Sequence, residues 1–165
     1  MVEKISDPKP PQGITRALYR APIWLYKIKL GFLLGQRFLM LTHTGRKSGL
    51  HHQTVVEVVK HEPDNNTYYI ASGWGENSDW VKNITVGPQV QVQVGNKHWD
   101  MIAERLIPDQ AEEVIIDYAQ RHPSAMMNLA RMMGYKLDGS EQDFRELGQQ
   151  LPLFALKPKT QGNHQ

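Results

Sequence analysis

The run Arg37-Phe-Leu-Met-Leu-Thr42, the polar turn His43-Thr-Gly-Arg-Lys-Ser-Gly49 and the run Gln53-Thr-Val-Val-Glu-Val-Val-Lys60 read as strand, turn and strand. Phe38–Thr42 is continuously apolar up to its last residue, and Val55–Val59 is rich in β-branched side chains, which suit a pleated, half-buried surface. Gly45 and Gly49 free the backbone for positive φ, so successive N–H groups could converge on an anion. Arg46, Lys47 and Ser48 lie between them and supply two cations and a hydroxyl, groups that hold phosphate or carboxylate oxygens. The same composition also suits a solvated hairpin, and the turn by itself does not choose between the two.

Working outward, the next strand is Tyr68–Ala71, after a turn at Pro63-Asp-Asn-Asn66. Gly73-Trp-Gly75-Glu-Asn-Ser-Asp79 is a loop, and a short helix over Trp80–Thr85 takes Ser78 or Asp79 as its N-cap. Gln89-Val-Gln-Val-Gln-Val94 alternates without a break and turns at Gly95-Asn96 into a strand over Lys97–Ile107. Helices are predicted over Asp109–Gln120, Ser124–Met133 and Ser140–Gln150, and Leu151-Pro-Leu-Phe-Ala-Leu156 reads as a closing strand. Upstream, Ile14, Leu18, Ala21, Leu25, Ile28 and Phe32 recur at helical spacing, with Pro22 breaking the stripe. That segment, 14–34, is basic and aromatic. It either caps the core or meets a membrane surface.

The element order is not the alternating rhythm of a parallel sheet. It points to an α+β chain, mainly β, in which an antiparallel barrel or sheet carries packed helices. At 165 residues the expected organisation is one domain over 14–158, with a disordered arm over 1–13 and a polar tail over 159–165. A hydrophobic fraction of 40% argues against disorder of the whole chain. A net charge of +2 gives little footing for nucleic acid. The chain lacks cysteine, so thiolate chemistry, cysteine–metal sites and disulfides are excluded, and a cytoplasmic setting is expected. Residues 1–13 carry no apolar run and do not read as a secretory signal, and no stretch has the roughly 18–20 apolar residues of a spanning helix.

Several chemistries lack their residues. There is no GxSxG elbow, GxxxxGK[ST] loop or GxGxxG turn. His51 and His52 alternate across a strand and cannot easily share an ion, so no metal site is expected. Met126, Met127, Met132 and Met133 read as core, or as a pliable wall over an apolar ligand. What remains is the cationic turn, the small-residue loop Ala71-Ser-Gly-Trp-Gly75, and the pair Trp80 and Asn83 on one side of a helical turn. A phosphate anchor, a slot of small residues and an indole face together suit a flavin-sized cofactor.

These residues carry a resemblance. Leu39-Met-Leu-Thr-His-Thr-Gly-Arg-Lys-Ser-Gly49, then Ala71-Ser72 and a glycine loop, Trp80-x-x-Asn83, Gly87-Pro88 and a Val-x-Val strand resemble the deazaflavin-dependent nitroreductase family. Its members are split β-barrels related to flavin-mononucleotide oxidases, so the resemblance implies an FMN-binding-like split barrel with an N-terminal helix and C-terminal helices. It also implies coenzyme F-420, with FMN as the alternative ligand. Carried onto this chain, Arg46, Lys47 and Ser48 would hold the anionic tail, and Ala71, Ser72 and Gly73 would line the deazaflavin slot. Trp80 and Asn83 would close its side. Gly49, His52, Gln53 and Thr54 join the same cofactor-binding set.

Three departures matter. The family's common Pro-Arg is replaced by His51-His52, and its proline near the tryptophan by Asp79. The tyrosines that cover the substrate in nitroreducing members are replaced by Ala125 and Asn128, which leaves Tyr135 or Tyr118 as the candidate proton donor. The implied function is hydride transfer from the reduced cofactor to a hydrophobic, electron-poor acceptor such as a quinone, enone or nitroaromatic. The alternative is a non-catalytic carrier of a flavin, haem or lipid. Homodimerisation is a further expectation from the resemblance.

Overall fold

A computed structural model describes residues 2–7 and 35–159. Six strands close an antiparallel barrel: β2 (Phe38–Thr44), β3 (His51–Glu62), β4 (Thr67–Ala71), β8 (Leu153–Pro158), β6 (Lys97–Arg105) and β5 (Gln89–Val94), with β5 returning to β2. Two short strands, β1 (Glu3–Lys4) and β7 (Tyr135–Lys136), pair separately. Four helices complete the described residues: α1 (Asp79–Val86), α2 (Pro108–Arg121), α3 (Pro123–Met132) and α4 (Glu141–Gln150). The architecture is the mainly-β split barrel with packed helices that the resemblance implies.

Alternation places the barrel core. Leu39 and Leu41 of β2, Val90, Val92 and Val94 of β5, and Phe154 and Leu156 of β8 point inward, and Trp80, Val81 and Ile84 plug the barrel from α1. The glutamines of β5 take the other face, as a period of two requires. A second core lies outside the barrel wall, where Ala111, Ile115 and Tyr118 of α2, Met126 of α3 and Leu147 of α4 meet Val59 and Leu153. A bulge makes this double use of β3 possible: Val58 pairs with Ile70 but Lys60 with Tyr69, so Val59 is an extra residue turned to the helical side.

Several boundaries differ from the sequence expectation. β3 begins at His51, because its polar first residues extend the ladder by pairing Thr44 with His51 and His43 with His52. The closing strand starts at Leu153, because Leu151 packs in the helical core and the Pro152 carbonyl accepts the Ser72 N–H at 3.2 Å. Of the four methionines, Met126 and Met133 are core, whereas Met132 is 50% exposed. Within the arm expected to be disordered, Glu3 and Lys4 pair with Lys136 and Tyr135, and the Ile5 N–H reaches the Gly134 carbonyl at 2.7 Å. The helix expected near 22–34, after the break at Pro22, and the membrane-surface reading of 14–34 lie outside the described residues, as does the tail beyond Lys159. Among the described residues no helix is long and apolar enough to cross a membrane.

Candidate functional site

The turn between β2 and β3 is built largely on its own backbone. The Gly45 N–H donates to the Leu50 carbonyl and the Gly49 N–H to the Gly45 carbonyl, each at 2.8 Å. Gly49 has φ +69°, which favours glycine. The Arg46 N–H is taken by Asn83 Oδ1 at 3.1 Å, and the Leu50 N–H by Ser48 Oγ at 3.2 Å. These bonds use most of the amides that the sequence offered to an anion, so the turn is a pre-formed loop more than an open ring of donors. Gly45, unlike Gly49, does not have a positive φ, and a Cβ there would fall 2.6 Å from Ser48 Oγ and 2.8 Å from His52 Nε2, so those two side-chain ends would have to move aside. Ser48 Oγ and His52 Nε2 are 3.4 Å apart and lie beside this notch.

The two cations of the turn divide their work. The Arg46 guanidinium donates to Asn83 Oδ1 at 2.9 Å and to Asp79 Oδ1 at 3.3 Å, and its side chain is only 24% exposed. The Asp79 carboxylate is largely in solvent, so the ion pair is screened and contributes little by itself. Lys47 is exposed and pairs with no carboxylate among the described residues. Asn83, buried in α1, also donates from Nδ2 to His43 Nδ1 at 3.0 Å. His43 falls on the inward face of β2, two residues beyond Leu41, at the barrel end that α1 plugs. Burial holds the imidazole neutral and pushes it down to about 4; the nearby His52 ring adds to this and Asp79 opposes it.

This network joins two distant parts of the sequence. The turn at 45–49 is fastened to α1, which follows directly on the loop from Ser72 to Ser78. That loop has its own lock: Ser72 Oγ donates to the Gly75 carbonyl at 2.9 Å and lies 2.7 Å from Ser78 Oγ, both serines being buried. Ser72 therefore turns its hydroxyl into the protein, and of the three residues expected to line a slot only Ala71 and Gly73, both half-buried, keep some exposure. The nearest atom to a Cβ placed on Gly73 would be Leu129 Cδ1 of α3, at 3.9 Å.

Other expectations change. Trp80 is 7% exposed and packs edge-on against Phe154, with ring centroids 5.8 Å apart. It is a core side chain and not an open stacking face, because α1 must supply an apolar plug to the barrel. Asn83 is likewise spent on Arg46 and His43. Tyr118 is 2% exposed and its hydroxyl donates to Glu57 Oε1 at 2.5 Å, so burial and that carboxylate raise its pKa. It is poorly placed to give a proton to a ligand. Tyr135 is half-buried in β7, paired with Lys4. Thr54 pairs with Leu41 inside the ladder, and Gln53 opens onto a separate cleft of about 300 Å³ on the outer sheet face. Met40, Thr42, Gln91, Gln93 and His98 line that cleft with it. The Gln-Val alternation at 89–94 was its only sequence signal.

Comparison with known proteins adds the following. A family model described as F420H(2)-dependent quinone reductase matches residues 19–131. No curated protein matches the chain. Among solved structures, an F420-H2 dependent reductase (FDR-A) is similar at 21% identity and a TM-score of 0.52, over 74% of this chain and 95% of that one. HutZ, a heme storage protein from Vibrio cholerae, is similar at 16% identity and a TM-score of 0.54, over 82% and 89%. A conserved hypothetical protein, Rv2991 from Mycobacterium tuberculosis, is similar at 12% identity and a TM-score of 0.53, over 95% and 86%. These structural likenesses establish the shared fold.

Proposed function

The chain belongs to the F420H(2)-dependent quinone reductase family, and we propose that it uses reduced F420 to reduce an electron-poor acceptor such as a quinone, an enone or a nitroaromatic. The cofactor would supply the hydride. The protein's part is to hold it, orient it and keep water from the reacting face. The observation that carries this reading is the clamp from Arg46 to Asn83 and Asp79, which fixes a cationic turn against the helix that follows the small-residue loop.

The residues suit such a ligand. Lys47 presents an exposed cation with no carboxylate partner among the described residues, and Ser48 with His52 flanks the notch at Gly45. An anionic tail fits a receptor of that composition. Ala71 and Gly73 offer backbone with little side chain, suited to a flat ring, with Leu129 as an apolar neighbour. Fluorescence titration with F420 tests the reading, with FMN titrated in parallel. Saturable F420 binding tighter than FMN supports it, and no binding at on the order of tens of micromolar rejects it.

A second reading, a non-catalytic carrier of a flavin, haem or lipid, is favoured by one observation: Tyr118, one of the two candidate proton donors, is committed to Glu57. Oxidation of reduced F420 by menadione separates the two. Turnover supports the reductase, and a bound but silent cofactor supports the carrier.

A further inference from the structure

We infer that Asn83 is a positioning residue, which by gripping Arg46 and His43 at once sets the shape of the 45–49 turn and leaves Lys47 as its ligand-facing cation. The ligand in this inference rests on the proposed F420 reading; the geometry does not.

The chemistry of the partners fixes the amide's orientation. The Arg46 N–H and guanidinium can only donate, so the atom they meet at 3.1 and 2.9 Å must be the Asn83 oxygen. The amide nitrogen then faces His43 Nδ1 at 3.0 Å, and that ring nitrogen must be the acceptor. His43 is therefore neutral with its proton on Nε2. Both lone pairs of the Asn83 oxygen are used, and at most one amide hydrogen is left over. The side chain is 4% exposed. It sits in α1 among the residues that plug the barrel, 37 residues from Arg46 and 40 from His43 in sequence. One side chain thus ties a strand end, a turn and a helix, and because it takes the Arg46 backbone N–H it sets the main chain as well as the guanidinium.

The groups facing His43 are the His52 ring of β3, with centroids 5.9 Å apart, the Asn83 amide, and the Asp79 carboxylate of α1 beyond it with the Arg46 cation. Replacing the amide by a carboxylate changes one thing in this setting. Asn83→Asp keeps an acceptor for Arg46 but cannot donate to Nδ1, and it favours a protonated imidazole.

The test uses Asn83→Ala, Asn83→Asp, Lys47→Ala and the double variant Asn83→Ala with Lys47→Ala. In the unaltered protein, imidazole nitrogen spectra should show a neutral Nε2–H tautomer of His43 with no titration above about pH 5. Asn83→Asp should move that titration upward, and Asn83→Ala should speed hydrogen exchange at the Arg46 amide by on the order of tenfold or more. F420 binding should weaken about tenfold in Asn83→Ala, while the double variant binds within about twofold of Lys47→Ala alone, because without the Lys47 cation there is nothing left for Asn83 to position. Additive losses in the double variant would mean direct contact with the ligand and overturn the inference. So would an unchanged His43 tautomer and unchanged exchange at Arg46. Asn83→Asp retains the Arg46 acceptor and serves if the alanine variant fails to fold. If the unaltered protein does not bind F420, the cofactor reading falls, while the imidazole and exchange measurements still decide what Asn83 does.

Discussion

Arg46 and Lys47 are neighbours in sequence with opposite duties. Arg46 is turned back onto α1, whereas Lys47 is exposed, has no carboxylate partner among the described residues and is the cation we propose for the ligand. Lys47→Ala should therefore weaken F420 binding by about 1.5–3 kcal/mol, the range for a charged hydrogen bond, without lowering Tm measurably. Fluorescence titration at two salt concentrations and a thermal melt check this, and the loss should shrink at high salt. Arg46→Ala should lower both binding and Tm. His43 predicts a pH dependence. The native protein keeps it neutral down to about 4, whereas the unfolded chain protonates near the ordinary 6.5, so the unfolded state binds the extra proton in between. Stability is fully present above pH 6.5 and falls as the pH drops toward 4, by on the order of 3 kcal/mol from this group. Glu62 and Asp138 have carboxyls shifted below their ordinary range and lose their contributions at lower pH still. Melts between about pH 7 and pH 4 should show the decline, and His43→Asn should flatten it. The sequence exposed the cations of the turn, but not that Arg46 would be spent internally. That depended on Asp79 and Asn83, which no local pattern joins to residue 46.

Elements were legible where their faces differ. Gln89–Val94 was readable because one face is barrel core and the other is not. The start of β3 at His51-His-Gln53 was not, since exposed polar residues carry no period and are held by the ladder to β2. The helix predicted from Ser140 starts there for a local reason, since serine is a favoured N-cap and its Oγ accepts the Asp143 N–H at 3.2 Å. The packing of α4 on α2 was not legible. There Gly148 lies against the α2 backbone, and a Cβ would fall 2.8 Å from Glu112 Cα and 3.1 Å from the Ala111 carbonyl oxygen. Both atoms are backbone and cannot swing aside. Gly148→Ala, which raises helix propensity, should nevertheless destabilise the fold by about 1–3 kcal/mol through overpacking, as read by urea denaturation. The loop at 72–78 depends on the buried Ser72–Ser78 pair. Ser72→Ala should cost about 1–3 kcal/mol by leaving Ser78 without its side-chain partner, and should raise proteolysis within that loop.

For the whole molecule, two cores share two strands. β3 contributes Val56 to the barrel and Val59 to the helical layer, and β8 contributes Phe154 to one and Leu153 to the other. Neither core can lose its packing without exposing the wall of the other. Thermal unfolding should be a single transition, with tryptophan fluorescence and far-ultraviolet dichroism coincident. Two separated transitions would show that the helical layer melts alone. The sequence by itself determined the strand–turn–strand at 38–60, the alternation of β5, the helical character after Pro108 and the family resemblance. Each of these is written in local periodicity or in an ordered motif. Only the tertiary structure decided which polar groups stay free for a ligand. Trp80 went to the barrel core, Tyr118 to Glu57, and Arg46 with Asn83 to holding the turn. A buried polar group must find a partner wherever the fold brings one, and those partners come from strands and helices about 37 to 74 residues away.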